Sequence, residues 1–226
     1  MKTNIVKIVA FVAAATLAFS VNAAEKASEA SSITGSLSVG FSDQNIYRGA
    51  DLGDDTLSVS TELRGGIAGL QAFGGLTTDQ SIDGGADQYY ISAGLASELF
   101  GLDVAGGYLH SENVPGGSTE ELFAKATANQ LLNLTAAVYY ELDDELWTAE
   151  LGVSETIDLD VVSLTGRAAV GNTEVTSAND RTYYVLGADL SKQLAEDVDL
   201  VVGVEYTDAD DVDDETAVLA GLQVKF

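Results

Sequence analysis

Charged side chains recur at every second position in segments whose intervening positions are apolar. Successive side chains of a strand point to opposite faces, so residues spaced in this way share one face. On an enclosed face they set the electrostatic potential or pair with one another. The candidates for lining such an interior are Glu62, Arg64, Asp103, Glu121, Lys125, Glu141, Glu150, Arg167, Asp189, Asp199 and Glu205, with Lys225 as a further cation.

This face carries more acids than bases. With Lys225 counted as a candidate, eight of the residues are carboxylates and four are cations. A low-dielectric enclosure focuses the resulting negative potential, so the face is expected to favour cations over anions. The alternative for individual charges is structural pairing between neighbouring strands, for example of Arg167 with Glu150.

An aromatic-Arg-Gly triplet, Tyr47-Arg48-Gly49, follows the first alternating segment. Gly49 permits a turn with positive φ. Arg48 has two interpretations, a clamp on the loop or a contact for a solute. We favour the clamp, because exposed pairs of arginine and carboxylate are common; its candidate partners are the loop acids Asp51, Asp54 and Asp55.

Catalytic and metal-binding patterns are missing from the sequence. The single histidine, His110, has no nucleophile elbow to serve, and the chain contains no Cys. The acidic run 208–215 begins like a calcium loop, but Val212 and the lack of a glycine break that pattern. We therefore expect no enzyme activity, no cofactor and no specific metal site, and interpret the run as a solvated charged segment.

The elements that position these residues are predicted to be strands. Apolar residues alternate with Ser, Thr, Gly or charged residues in nine clear segments, as in Leu200, Val202, Val204 and Tyr206. Period 2 sustained over roughly ten residues is typical of strands rather than helices. Three weaker segments, at about 67–78, 119–129 and 159–171, complete a set of twelve.

The connections predict the architecture. Polar stretches of eight or more residues follow predicted strands 1, 3, 5, 9 and 11, and shorter links follow strands 2, 4, 6, 8 and 10. Only Asp143-Asp144 gives a tight turn where a long loop is expected. Alternating long and short links and an even strand number are typical of an all-β, closed antiparallel transmembrane β-barrel, here over residues 33–226.

A soluble sandwich would alternate as well, but its strands average five or six residues and its inner face is apolar. Here the predicted strands are long enough to cross a bilayer at a tilt, and the second face is too polar for a dry core. Aromatic residues at strand ends are expected to form an interfacial girdle; they are Phe41, Tyr89, Phe100, Tyr108, Tyr140, Trp147, Tyr183, Tyr184, Tyr206 and Phe226.

The ends of the chain fit this interpretation. Residues 1–23 begin with positive charges, continue with an apolar run and end in small residues. This pattern predicts a signal peptide that is cleaved after Ala23. Residues 24–32 are predicted to be a short periplasmic tail. Phe226 ends an alternating strand that must pair with the first strand to remove both edges. It is similar to the C-terminal aromatic residue that the barrel-assembly machinery recognises.

The stretch "SVGFSDQNIYRGADLG", Ser38 to Gly53, resembles the opening of the TorF-type porins. These are Gram-negative outer-membrane barrels whose first strand leads into an aromatic-Arg-Gly turn. Ile46 departs from the smaller or aromatic residue expected there. The resemblance implies a porin-like barrel and assigns no functional residue.

Together these patterns predict an outer-membrane channel for passive diffusion of ions or small hydrophilic solutes. The alternative is a non-conducting structural or adhesive barrel that acts through acidic outer loops. The expected partners are outer-membrane lipid, lipopolysaccharide, the barrel-assembly machinery and small solutes or cations. With 36 acidic against 10 basic residues, the chain would repel nucleic acid.

Overall fold

The computed structural model describes residues 33–226 except 49, 68, 69, 131, 177 and 211, and at 51, 54 and 67 it describes the backbone only. The predicted signal peptide, the predicted tail and Gly49 lie outside the described residues. Within the described part of the chain, no helix is long and apolar enough to span a membrane.

Twelve antiparallel strands form one closed barrel, as predicted, and each strand pairs with its neighbours in sequence. The three weaker segments correspond to the third, sixth and ninth strands. The strands are β1 (Thr34–Tyr47), β2 (Ala50–Ile67), β3 (Leu70–Ser81), β4 (Asp87–Leu99), β5 (Leu102–Val114), β6 (Ser118–Ala128), β7 (Asn133–Glu141), β8 (Trp147–Asp158), β9 (Ser163–Thr176), β10 (Asn179–Ala195), β11 (Val198–Ala209) and β12 (Glu215–Lys225).

The barrel is closed by pairing of β1 with β12, in a register that runs from Ser36 opposite Lys225 to Ser42 opposite Leu219. Two further backbone bonds join Gly35 and Phe226, with N···O distances of 2.7 and 3.0 Å. The predicted pairing of the last strand with the first is therefore confirmed. It leaves no strand with an open edge, which a barrel in lipid requires.

The apolar stripes point out of the barrel. Leu186 and Leu190 on β10 are 57% and 50% exposed, whereas Tyr183 on the opposite face of the same strand is 1% exposed. Buried polar side chains such as Gln88 and Thr148 lie on the inner faces. This polarity is the reverse of that in a soluble sandwich, because here the solvent for the outer face is hydrocarbon.

The prediction of long loops at one end of the barrel is wrong. The stretch 44–53 is mostly strand, and β1 continues to Tyr47 before β2 begins at Ala50. The other connections at this end are also short, at 82–86, 115–117, 142–146, 177–178 and 210–214. Where a strand leaves the lipid, neither of its faces needs an apolar stripe, so the apolar alternation disappears while the backbone ladder continues. We call this the far end of the barrel, and the end that carries Phe226 the near end.

Candidate site in the barrel interior

The tip of the hairpin formed by β1 and β2 lies inside the barrel. The register shifts between Asn45 and Ile46, and Arg48 in the turn has a φ of 50°. A shift of this kind bends a hairpin and redirects its tip. The Tyr47 ring stands 5.7 Å from the ring of Tyr90 on β4, which places the tip over the lumen.

Arg48 forms an ion pair across the lumen with Glu121 on β6. Its two terminal nitrogens donate to the two carboxylate oxygens at 2.6 and 3.0 Å, and the side chains are only 13% and 9% exposed. Four strands separate β1 from β6 around the shorter arc of the barrel. A two-pronged pair of this type fixes both position and orientation. The pair therefore restricts the passage through the far half.

The charge of Arg48 is maintained at this site. Burial by itself would lower the pKa of the guanidinium, because a low-dielectric environment disfavours the charged form. The hydrogen bonds to Glu121 and the nearby negative charge outweigh burial and raise the pKa of Arg48 above its ordinary value. The group crossing the lumen is thus a permanent cation.

Aromatic rings surround this cation. The guanidinium carbon of Arg48 lies 4.0 Å from the ring centre of Tyr139 on β7 and 4.8 Å from that of Tyr47. The ring centre of Tyr139 lies 6.1 Å from that of Phe123, and the ring centre of Phe123 lies 6.2 Å from that of Phe73. Cations are attracted to such ring faces. The rings form an aromatic layer across the interior.

Sequence reasoning missed most of this layer and misplaced Tyr183. Tyr183 was predicted in the outer girdle, but it is 1% exposed and donates to Glu150 on β8 at 2.8 Å, while its neighbour Tyr184 is 52% exposed. In the alternating pattern, the positions of Phe73, Phe123 and Tyr139 are on the same face of their strands as the polar and charged residues. That shared face was the signal that could have placed them inside, next to the charged candidates.

The Tyr183 ring packs against Gly171 on β9, where a Cβ would collide with the ring. We predict that Gly171→Val displaces Tyr183, weakens its bond to Glu150 and lowers the free energy of unfolding by about 1–3 kcal/mol. Urea unfolding of the refolded barrel measures the loss. Gly166→Val on the same strand is the control, since a Cβ there meets nothing within 4 Å. Equal losses for the two variants would show that the Tyr183 contact contributes nothing.

The remaining predicted lumen charges fall into separate groups. Arg167 pairs with Asp189 on β10 and with Glu205 on β11, the latter at 2.9 Å. Its suggested pairing with Glu150 is wrong, because Glu150 accepts from Tyr183. On the other side of Arg167, β10 carries Gly187 directly opposite it, and the missing side chain leaves room for Arg167 to reach β11.

At the near end, Arg64 pairs with Glu62 at 2.5 Å and Lys225 with Asp199 at 2.8 Å. Asp103 accepts a hydrogen bond from Asn129. Glu141 stands opposite Glu121 in the register of β6 and β7. Lys125 and Glu141 form no ion pair with any residue that the structure describes.

The suggested partners of Arg48 are corrected as well. Arg48 reaches Glu121 on the opposite wall instead of the acids of its own loop. The side chains of Asp51 and Asp54 lie outside what the structure describes. An inward bend of the hairpin explains the difference, since it moves the guanidinium away from the loop and into the barrel.

A cavity of about 660 Å³ opens in the near half of the barrel. Its walls come from β2 to β6, and its inner limit is the aromatic layer at Phe73 and Phe123. Charges of both signs line it, namely Glu62, Arg64, Glu98, Asp103 and Lys125. The interior thus consists of a wide near half and a restricted far half.

No family model and no curated protein matches this sequence. Solved structures with the same architecture include the NanC porin (TM-score 0.58, 13% identity, 84% of this chain and 100% of that chain). The KdgM porin gives a TM-score of 0.56 at 11% identity over 84% of this chain and 99% of that chain. The outer membrane protein Omp33 of Acinetobacter baumannii gives 0.52 at 12% identity over 85% and 98%.

The chain has the fold of porin-type outer-membrane β-barrels. At these identities the likeness concerns the fold alone. Another structure of the KdgM porin is a complex with disordered oligogalacturonate.

Proposed function

We propose that the protein is an outer-membrane channel through which ions or small hydrophilic solutes diffuse, with a preference for cations. The observation that carries the proposal is the enclosed polar interior: an apolar exterior surrounds charged walls and a cavity of about 660 Å³. The fold and the resemblance of residues 38–53 to TorF-type porins support it. Export by cleavage after residue 23, assembly through Phe226 and contact with lipopolysaccharide belong to the same proposal.

The cation preference is proposed from the excess of carboxylates over cations on the inner faces. Some of these acids are neutralised by ion pairs with Arg48, Arg64, Arg167 and Lys225. The neutralisation is incomplete where two acids share one cation, as Asp189 and Glu205 share Arg167. A negative interior attracts cations and repels anions.

Glu141 offers the sharpest test of this preference, because it has no ion-pair partner among the described residues. We predict that Glu141→Lys lowers the ratio of cation to anion permeability by about two- to threefold, since it reverses a charge beside the restricted passage. Reversal potentials in planar bilayers under a salt gradient measure the ratio.

Glu120→Lys makes the same change of charge on the outer face of β6, one position from Glu121, and is the matched control. A ratio that Glu141→Lys leaves unaltered, or that both variants lower equally, would contradict a selective role for the lumen charge.

A second candidate function is a non-conducting structural or adhesive barrel. The occlusion of the far half by Arg48 and the aromatic layer favours it, although the short connections at the far end offer little loop surface. Planar-bilayer recordings decide between the two. Discrete current steps with cation selectivity support the channel, and a folded, electrically silent barrel supports the alternative.

The proposal assigns no catalysis to the chain. His110 lies on β5 opposite Ile91 and Glu120, one on each neighbouring strand, at a position with the parity of the outward-facing residues. Loss of a measured hydrolytic activity in His110→Ala would be needed to reopen that question.

A further inference from the structure

We infer that the far half of the lumen holds a recognition site for organic cations, formed by Glu121, Tyr139 and Tyr47, and that Arg48 fills it as an internal ligand. The inference rests on the proposed channel and names the substrate class of its passage. The favoured solutes carry a guanidinium group.

The carboxylate of Glu121 is matched to a planar cation. Both of its oxygens accept from Arg48, at 2.6 and 3.0 Å, in a fork of parallel bonds. A guanidinium satisfies this geometry, whereas an ammonium presents a point charge without the planar fork. With Arg48 in place the whole Glu121 residue is only 7% exposed, so the cation at this position replaces water as the partner of the carboxylate, and a free cation is expected to do the same.

The rings supply the second part of the site. Tyr139 and Tyr47 present their rings to the guanidinium carbon at 4.0 and 4.8 Å. The ring of Tyr90 packs near that of Tyr47, with 5.7 Å between the ring centres, and the ring of Phe123 packs near that of Tyr139, with 6.1 Å between the ring centres. Aromatic faces gathered around a carboxylate are the usual means by which proteins recognise organic cations.

The carboxylate and the nearest ring of the site belong to a different part of the fold from the internal ligand, whereas Tyr47 is the neighbour of Arg48 in the chain. Glu121 and Tyr139 lie on β6 and β7, which pair with each other in the barrel wall. Arg48 lies at the tip of another hairpin, beyond a register shift. Removal of Arg48 therefore leaves the wall residues in place, and a free cation can take the position of its guanidinium.

The test vacates the site and offers a replacement. In detergent, isothermal titration calorimetry of the full chain carrying Arg48→Ala is expected to show saturable binding of methylguanidinium. Urea, a neutral molecule of similar shape, is expected not to bind. Adding Glu121→Gln to Arg48→Ala is expected to weaken methylguanidinium binding at least about tenfold, since the charged acceptor is lost.

A second measurement covers the case in which Arg48→Ala does not refold. With the unaltered chain, excess methylguanidinium must compete with Arg48 and bind in calorimetry, and Tyr139→Leu must weaken that binding. The inference is overturned if neither the unaltered chain nor Arg48→Ala binds methylguanidinium, if urea binds equally well, or if Glu121→Gln changes nothing.

Calorimetry separates this inference from the channel itself. A barrel that binds methylguanidinium but passes no current keeps the site and refutes conduction. A barrel that conducts but binds no methylguanidinium refutes the site and leaves the channel, with Arg48 serving only as a structural cross-link.

Discussion

Replacing Arg48 with alanine is expected to raise the single-channel conductance about two- to fivefold, because it removes the side chain that crosses the lumen in its far half. Glu121 loses its cation and becomes accessible to water and mobile ions. Cation selectivity is expected to rise with the conductance, since the change removes a positive charge and exposes a negative one. Planar-bilayer recordings in symmetric potassium chloride and under a salt gradient measure both quantities.

Lys192→Ala is the matched control for this prediction. It removes one positive charge from an exposed position near the end of β10, opposite Leu200, away from the interior. Its conductance is expected to equal that of the unaltered protein. A shift in electrophoretic mobility on heating shows that each variant is folded. If folded Arg48→Ala barrels conduct no better than folded Lys192→Ala barrels, Arg48 does not limit the passage.

The second large effect concerns the outer face. Val202 on β11 is 44% exposed and points towards the lipid. We predict that Val202→Arg lowers the free energy of unfolding by about 2–4 kcal/mol, the cost of placing an arginine near the bilayer midplane. Urea titrations of the barrel refolded into lipid vesicles, followed by fluorescence of Trp147, measure the loss.

Val201→Arg introduces the same side chain one residue away, on the inner face of β11. It is expected to cost much less, because a lumen position gives the guanidinium access to water and to the surrounding acids. Equal losses at the two positions would contradict the assignment of the apolar stripe to lipid. A larger loss at Val201 would indicate a dry interior.

The alternation of the sequence was sufficient to predict the barrel. Period 2 fixes which side chains share a face, and Leu186 and Leu190 are on the outside as expected. The need to close the barrel and remove both edges predicted that the last segment pairs with the first, and Gly35 and Phe226 form backbone hydrogen bonds with each other. These are local properties of strands combined with the requirement that no edge remains open in lipid.

The same alternation could not predict the length of the strands beyond the membrane. Residues 44–47 and 50–53 read as loop because the tip of their hairpin bends into the barrel, where neither face meets lipid and no apolar stripe is required. The inward aromatic residues were missed for another reason: Tyr183 is of a residue type common in the girdle, although its position next to the outward-facing Tyr184 gives it the inward parity, and the register places it near Glu150. Residue type and residue direction are independent pieces of information.

By itself the sequence determined a twelve-stranded barrel with an acidic interior and an apolar exterior. The tertiary structure alone decided which charges meet: Arg48 with Glu121 rather than with its own loop, and Arg167 with Asp189 and Glu205 rather than with Glu150. Pairing across a lumen depends on the closure of the sheet and on a bend between Asn45 and Ile46. Neither the closure nor the bend produces a periodic pattern in the sequence, because both depend on residues that are far apart in sequence.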